Sequence, residues 1–165
     1  MTKEKAWEHL PRILSLVLLI GTLFAWVTVF TDFQKFYGYE GTIFKLDNCV
    51  IPNPVATPCF YGAFAFIGAF VWSLRVAKMS EEEKRKHEKF MSWFLSGATI
   101  FAWSNFLPDA FNFYTSSGGP VRGCSGQLIT NPFITPCFIG SAIFLVALMI
   151  GLLIYFKNKE SISSL

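Results

Sequence analysis

Charged residues are scarce in this chain of 165 residues: Asp, Glu, Lys and Arg make up only 15% of it, whereas 53% is hydrophobic. That balance is too apolar for a soluble domain of this size and is typical of a membrane bundle. The residues of the run 81–89 mix both signs of charge, and the net charge is only +3. This pattern excludes a basic surface for nucleic acid.

Several catalytic motifs are also missing. The chain has no phosphate-binding Gly-rich loop, no Ser-His-Asp constellation and no helical metalloprotease motif, which leaves hydrolytic and nucleotide chemistry unsupported. It has four cysteines but no C-x-x-C pair. Four thiolates could form a zinc centre, but their spacing fits poorly, and His9 and His87 fall at the opposite side of the membrane. We therefore expect no metal.

Four long runs without charge are present, each close to the roughly 20 residues that cross a bilayer. They predict an all-α membrane protein with four transmembrane helices. The predicted spans cover about residues 13–31, 58–77, 88–107 and 136–156.

The positions of Lys and Arg predict the orientation of these spans. Of the 14 Lys and Arg residues, all but Lys35, Lys45 and Arg122 lie in the N-terminal tail, near the loop 79–89 or after the fourth span. The positive-inside rule places both termini and the 79–89 loop in the cytoplasm. All four cysteines then lie on the outer side of a plasma or bacterial inner membrane.

The chain contains an internal duplication. The segment Gly21–Trp26 matches Ala98–Trp103 at an offset of 77 residues, and Asn53–Phe60 matches Asn131–Phe138 at an offset of 78. Each copy holds two spans, so both copies enter the membrane in the same orientation and form parallel repeats of a helix-loop-helix unit.

The predicted domain organisation follows from this duplication. Residues 1–165 form a single membrane domain, with repeat one at 13–78, repeat two at 90–157 and a cytoplasmic loop at 79–89.

A Thr-Pro-Cys motif opens the second span of each repeat. Thr is an acceptable N-cap and Pro is favoured at the first helical position, which places Cys59 and Cys137 in the first turn of their helices. The positive end of the helix dipole favours a thiolate there, as it does in many redox-active cysteines.

The other two cysteines, Cys49 and Cys124, precede these at spacings of C-x9-C and C-x12-C. Four cysteines allow three pairings, and the repeat favours Cys49 with Cys59 and Cys124 with Cys137. These pairs could be structural disulfides that brace the outer loops, each adding about 2 to 4 kcal/mol. Alternatively, the four cysteines could be catalytic in thiol–disulfide exchange.

Asp32 and Asp109 occupy equivalent positions at the outer ends of the first and third spans. A helix dipole disfavours a carboxylate at that end, so we expect each helix to end sooner and the Asp to cap a turn. The alternative is that these carboxylates relay protons for thiol chemistry.

Small residues within the spans predict close helix contacts. The glycines that we expect at such contacts are Gly62, Gly68, Gly97, Gly140 and Gly151. Most of the 19 Phe residues should pack within the bundle or face lipid.

Four spans, loop cysteines on the outer side and a Cys that opens a span resemble the membrane thiol oxidoreductases of the vitamin K epoxide reductase and DsbB type. The segment Cys49–Gly62, which ends Pro58-Cys59-Phe60-Tyr61-Gly62, carries this resemblance. It implies electron transfer between loop cysteines and a quinone held in a four-helix bundle, although that class uses a C-x-x-C pair. The Thr-Pro-Cys openings are similar to those of the CcdA-type thiol-reductant transporters, whose repeats are inverted and longer.

The sequence thus leaves three functions open. The first is thiol–disulfide exchange or electron transfer to a quinone, which implies a thioredoxin-like partner. The second is a non-enzymatic subunit, of a homo-oligomer or a larger membrane complex, with loops braced by disulfides. The third is a small-solute transporter or channel. These features do not decide whether the protein is an enzyme.

Overall fold

The computed structural model of the protein describes residues 9–44, 52–116, 121–123 and 128–163. Its helices are α1 (Leu10–Glu40), α2 (Pro58–Val76), α3 (Glu81–Thr115) and α4 (Pro136–Ser163), and two 3₁₀ turns cover Pro54–Ala56 and Pro132–Ile134. Within the described residues, extended chain pairs only at an isolated bridge between Arg122 and Leu128. The all-α prediction is confirmed.

Helix α1 is longer than the first predicted span. It has 31 residues, begins with a Pro in its first turn and ends at Gly41, whose φ of 68° places it in the left-handed region. The Gly41 N–H donates to the Tyr37 carbonyl, which closes the last turn. No residue between Asp32 and Glu40 breaks the helix, so Asp32 lies inside it and our prediction that Asp32 caps a turn was wrong.

Helix α3 also continues past its acidic residue. It runs for 35 residues with Pro108 in its interior and Asp109 directly after that proline. The side chain of Asn105, one turn before Asp109, donates to the Phe101 carbonyl at 2.7 Å. Because α3 continues past Asp109 to Thr115, the prediction that Asp109 caps a turn was wrong as well.

The four helices form a bundle in which α1 and α3 each pack against both α2 and α4. Helices α2 and α4 approach each other where the Phe66 and Phe144 rings stack, with ring centroids 3.7 Å apart and planes 10° apart. Around this stack lies a buried core that includes Leu18 and Leu95.

One glycine is required by this core. A Cβ on Gly21 would lie 2.4 Å from the nearest ring carbon of Phe66, so only glycine lets that ring pack against the backbone of α1. The predicted close contacts at Gly62, Gly68, Gly97 and Gly140 were wrong, since a Cβ there would meet nothing within 4 Å. Gly151 does lie close to a neighbour, with Leu95 3.3 Å from its Cβ position.

Among the residues that the structure describes, three segments are long and apolar enough to cross a membrane: Leu10–Glu40, Pro58–Val76 and Pro136–Asn158. The protein is therefore an integral membrane protein, and its apolar helices suit a lipid bilayer. Helix α3 is less apolar, because its first turns are charged and Ser92, Ser96, Ser104 and Asn105 lie along the rest of it. Large apolar side chains face outward on the spans, among them Leu23, Val27, Phe64 and Met149.

Candidate functional site

The segment before α2 folds into a fixed turn that sets the position of Cys59. The Asn53 side chain accepts a hydrogen bond from the Val55 N–H at 3.0 Å, which starts the 3₁₀ turn. Thr57 ends that turn in extended conformation and is the N-cap residue of α2, and its hydroxyl donates to the Pro54 carbonyl at 2.7 Å. Pro58 then opens α2, so Cys59 is its second residue.

The segment before α4 folds in the same way. The Asn131 side chain accepts from the Phe133 N–H at 2.9 Å, and the Thr135 hydroxyl donates to the Pro132 carbonyl at 2.6 Å. Pro136 opens α4 and Cys137 follows it. Both sulfurs therefore lie in the first turn of a helix, at equivalent positions.

These two turns bring the sulfurs together. The Sγ atoms of Cys59 and Cys137 are 3.6 Å apart. A disulfide bond between them would need about 2.05 Å, so the two sulfurs are in contact and not bonded to each other. Equal depth of these residues was expected from the repeat, but contact between them was not, because sequence spacing does not show which helix faces meet.

The sulfur pair borders a small cavity of about 70 Å³, here called the sulfur cavity. It is lined by residues of all four helices, including equivalent pairs from the two repeats. These pairs are Phe24 with Phe101, Cys59 with Cys137, and Phe66 with Phe144.

The polar residues of the sulfur cavity bond to their own helices. The Thr28 hydroxyl donates to the Phe24 carbonyl at 3.0 Å, and the Ser141 hydroxyl donates to the Cys137 carbonyl at 2.6 Å. The interior of the sulfur cavity is consequently apolar. Such surroundings oppose the thiolate that the helix dipole favours, because an anion is desolvated there.

The walls of the sulfur cavity are largely aromatic and aliphatic, and the Phe66–Phe144 stack forms part of them.

The two carboxylates predicted as proton relays lie near the sulfurs in different settings. Both Asp32 and Asp109 are near enough for their charges to act on Cys59. Asp32 is buried, with 7% of its surface exposed, whereas Asp109 is half-buried. The structure thus gathers Cys59, Cys137, Asp32 and Asp109 at one end of the bundle, here called the cysteine end.

A second cavity of about 160 Å³, the Asp109 cavity, lies at the cysteine end. Asp109 and Cys137 both line it, together with Asn131, Thr135, Gly123 and Ile129. A Cβ on Gly123 would lie 3.5 Å from a carboxylate oxygen of Asp109. Sequence reasoning missed this cavity, because it depends on how the chain after α3 returns over the start of α4.

The remaining predicted site residues, Cys49 and Cys124, lie outside the described residues, so their predicted pairings stay predictions. Within the described part of the chain, no group of three or more His, Cys, Asp or Glu side chains could hold a metal ion.

Comparison of the chain with protein-family models, with curated proteins and with solved structures found no match. The resemblance to membrane thiol oxidoreductases gains no support from these comparisons. Any function must therefore be argued from the geometry of the sulfur pair and its surroundings.

Proposed function

We propose that this protein is a membrane thiol–disulfide exchange protein whose central pair is Cys59 and Cys137. The observation that carries the proposal is the short distance of 3.6 Å between their sulfurs. One sulfur comes from each repeat of the chain. Enzymes of this chemistry usually obtain adjacent sulfurs from a C-x-x-C segment. Here the two helix starts would supply the same adjacency across the repeat.

The first exchange step uses a Cys124–Cys137 disulfide. The Cys59 sulfur attacks the Cys137 sulfur, a Cys59–Cys137 bond forms and the Cys124–Cys137 bond breaks. The proton leaves Cys59 and ends on Cys124, which becomes a thiol. No external oxidant is needed, because the disulfide only changes partners.

The second step passes the disulfide to the first repeat. The Cys49 sulfur attacks the Cys59 sulfur, which forms a Cys49–Cys59 bond and releases Cys137 as a thiol. Asp32 and Asp109, whose charges act on Cys59, could accept and return protons during these steps. Electrons stay on sulfur throughout.

The membrane arrangement of this proposal has four spans in two parallel repeats. Helix α3 is the fourth span, because the stretch from Phe90 to Leu107 carries no charge and α3 packs along both α2 and α4. The cysteine end faces the outer compartment, on the side away from most of the Lys and Arg residues. That compartment is normally oxidising, which suits disulfide exchange.

The apolar lining of the sulfur cavity favours a second candidate, a non-enzymatic subunit. Buried cysteines in apolar surroundings are usually inert, and disulfides at these positions would brace the outer loops of a larger assembly. Transport gains less support, since the Phe66–Phe144 stack fills the space between α2 and α4.

A redox titration tests the proposal against this second candidate. Purified protein in detergent is equilibrated over a series of thiol–disulfide buffers, and mass spectrometry identifies the linked cysteine peptides at each potential. Exchange chemistry predicts a Cys59–Cys137 link at intermediate potentials and midpoints above about −300 mV.

Cys59→Ser is the matched variant for this titration. It should leave a Cys124–Cys137 disulfide intact while it stops transfer of the disulfide to Cys49. If the wild type shows only stable pairs below about −300 mV and no Cys59–Cys137 link, the exchange function is refuted and the bracing role remains.

A further inference from the structure

The two sides of the sulfur pair differ in access. Beside Cys59, Asn53 and Thr57 are only 2% and 3% exposed. The Asn53 side chain also donates to the Ile43 carbonyl at 3.1 Å, which ties the chain after α1 over this turn. With Asp32 buried as well, polar groups beside Cys59 are closed off from solvent.

The equivalent groups beside Cys137 are open. Asn131 is exposed, and Thr135 and Asp109 are half-buried. The Asp109 cavity runs along this side, and its lining includes Cys137 but not Cys59. A reagent in this cavity would therefore meet the Cys137 sulfur first.

The size of the Asp109 cavity limits what can reach Cys137. Its volume of about 160 Å³ is well above the roughly 10 to 15 Å³ that one water molecule needs. One small thiol or one cysteine side chain fits such a space, and a folded protein surface does not.

The charge of the Asp109 cavity limits it further. Asp109 contributes a carboxylate to the lining, and the other lining residues at the described positions are uncharged. Arg122, which precedes Gly123 in the chain, is exposed, so solvent screens its charge more than that of the half-buried Asp109. A carboxylate beside the reacting sulfur repels anions and attracts cations.

We propose that the Asp109 cavity is the binding site for the external reactant of the exchange reaction, a small neutral or cationic thiol or disulfide that reacts at Cys137. This inference rests on the proposed exchange function and names its substrate class. The Asp109 carboxylate selects against anionic reactants, and Cys59 exchanges only with Cys137 and the loop cysteines.

The test uses three small disulfides that differ in charge: cystamine, bis(2-hydroxyethyl) disulfide and dithiodiglycolate. Each is added to fully reduced full-length protein in a non-ionic detergent, with either Cys137 or Cys59 as the single remaining cysteine. A thiol of the protein attacks the reagent, forms a mixed disulfide and releases one reagent thiol, which takes the proton. Mass spectrometry follows the rate, which is divided by the rate of the same reagent with 2-mercaptoethanol.

Cys137 should react with cystamine roughly tenfold faster than with dithiodiglycolate, a ratio in the lower range of electrostatic steering. Asp109→Asn should bring this ratio close to one, and Asp109→Glu, which keeps the charge, should retain most of it. Glu83→Gln, in the first turn of α3 at the opposite end of the bundle, is the control and should leave the ratio at Cys137 unchanged. Cys59 should react at least roughly tenfold more slowly than Cys137 with all three reagents.

Two failures can be told apart. If the neutral reagent reacts with Cys137 but Asp109→Asn leaves the charge ratio unchanged, or Cys59 reacts as fast as Cys137, the substrate inference is overturned while exchange survives. If no reagent forms a mixed disulfide at Cys137, both the inference and the proposed function are overturned.

Discussion

The two repeats of this protein share a framework and differ in what surrounds it. Each has an Asn-capped 3₁₀ turn, a Thr-Pro pair and a Cys as the second helical residue. The Asn and Asp of the first repeat are buried, whereas those of the second are exposed or half-buried. The shared framework holds the sulfurs, and the two repeats differ in how far solvent reaches the polar groups beside them.

Substitutions in the Phe66–Phe144 stack, to which each repeat contributes one ring, should have the largest effect on stability. Phe66→Ala should reduce the free energy of unfolding by about 3 to 5 kcal/mol, because a buried ring is lost and a void remains. Phe144→Ala should cost a similar amount, since both rings form one stack at 2% and 3% exposure. Reversible unfolding in mixed detergent and SDS micelles measures both.

Phe64→Ala is the control for the stack, since Phe64 lies on α2 and is 51% exposed. Its cost should stay below about 1 kcal/mol. Equal losses at Phe64 and Phe66 would contradict a bundle packed through the Phe66–Phe144 stack.

Gly21 tests a difference between the repeats, because its counterpart in the second repeat is Ala98. Gly21→Ala should destabilise the protein by about 1 to 3 kcal/mol, since the new methyl group overlaps the Phe66 ring. Gly62→Ala provides the control at a helical glycine with free space, where Ala should be neutral or stabilise by up to about 1 kcal/mol. The same unfolding assay compares them, and a neutral Gly21→Ala would show that α1 and Phe66 are further apart.

The Asn caps give the smallest expected effect and test the difference in access. Asn53→Ala should cost about 1 to 2 kcal/mol, because it removes two hydrogen bonds of a buried side chain. Asn131→Ala removes a solvent-exposed cap and should cost only about 0.5 kcal/mol. If both variants lose the same stability, the first repeat is no more closed than the second.

The sequence predicted the helical class, the membrane setting and the helix starts at Pro58 and Pro136, because apolar runs and Thr-Pro motifs are local signals. It did not predict that α1 and α3 continue through Asp32 and Asp109, since the energetic preference of a carboxylate at a helix end is small beside helix packing. The role of Gly21 was also missed. Small residues mark close contacts only when the facing side chain is known, and that depends on how α2 rotates towards α1.

The contact between Cys59 and Cys137 was beyond sequence reasoning for a similar reason. The repeat places both residues at one register, but their distance depends on the convergence of α2 and α4 around the Phe66–Phe144 stack. The difference between the two sides of the sulfur pair arises from loop placement, which no periodic pattern encodes.

Disulfide trapping of the central pair tests the account most directly. The variant Cys49→Ala/Cys124→Ala keeps only Cys59 and Cys137, and it is oxidised in detergent and digested for mass spectrometry. The account predicts a Cys59–Cys137 link within each molecule, whereas moving the first cysteine to the exposed position Tyr61 by Cys59→Ala/Tyr61→Cys should abolish it. Absence of the link in the original pair, or links only between molecules, would contradict a sulfur pair shared by the two repeats.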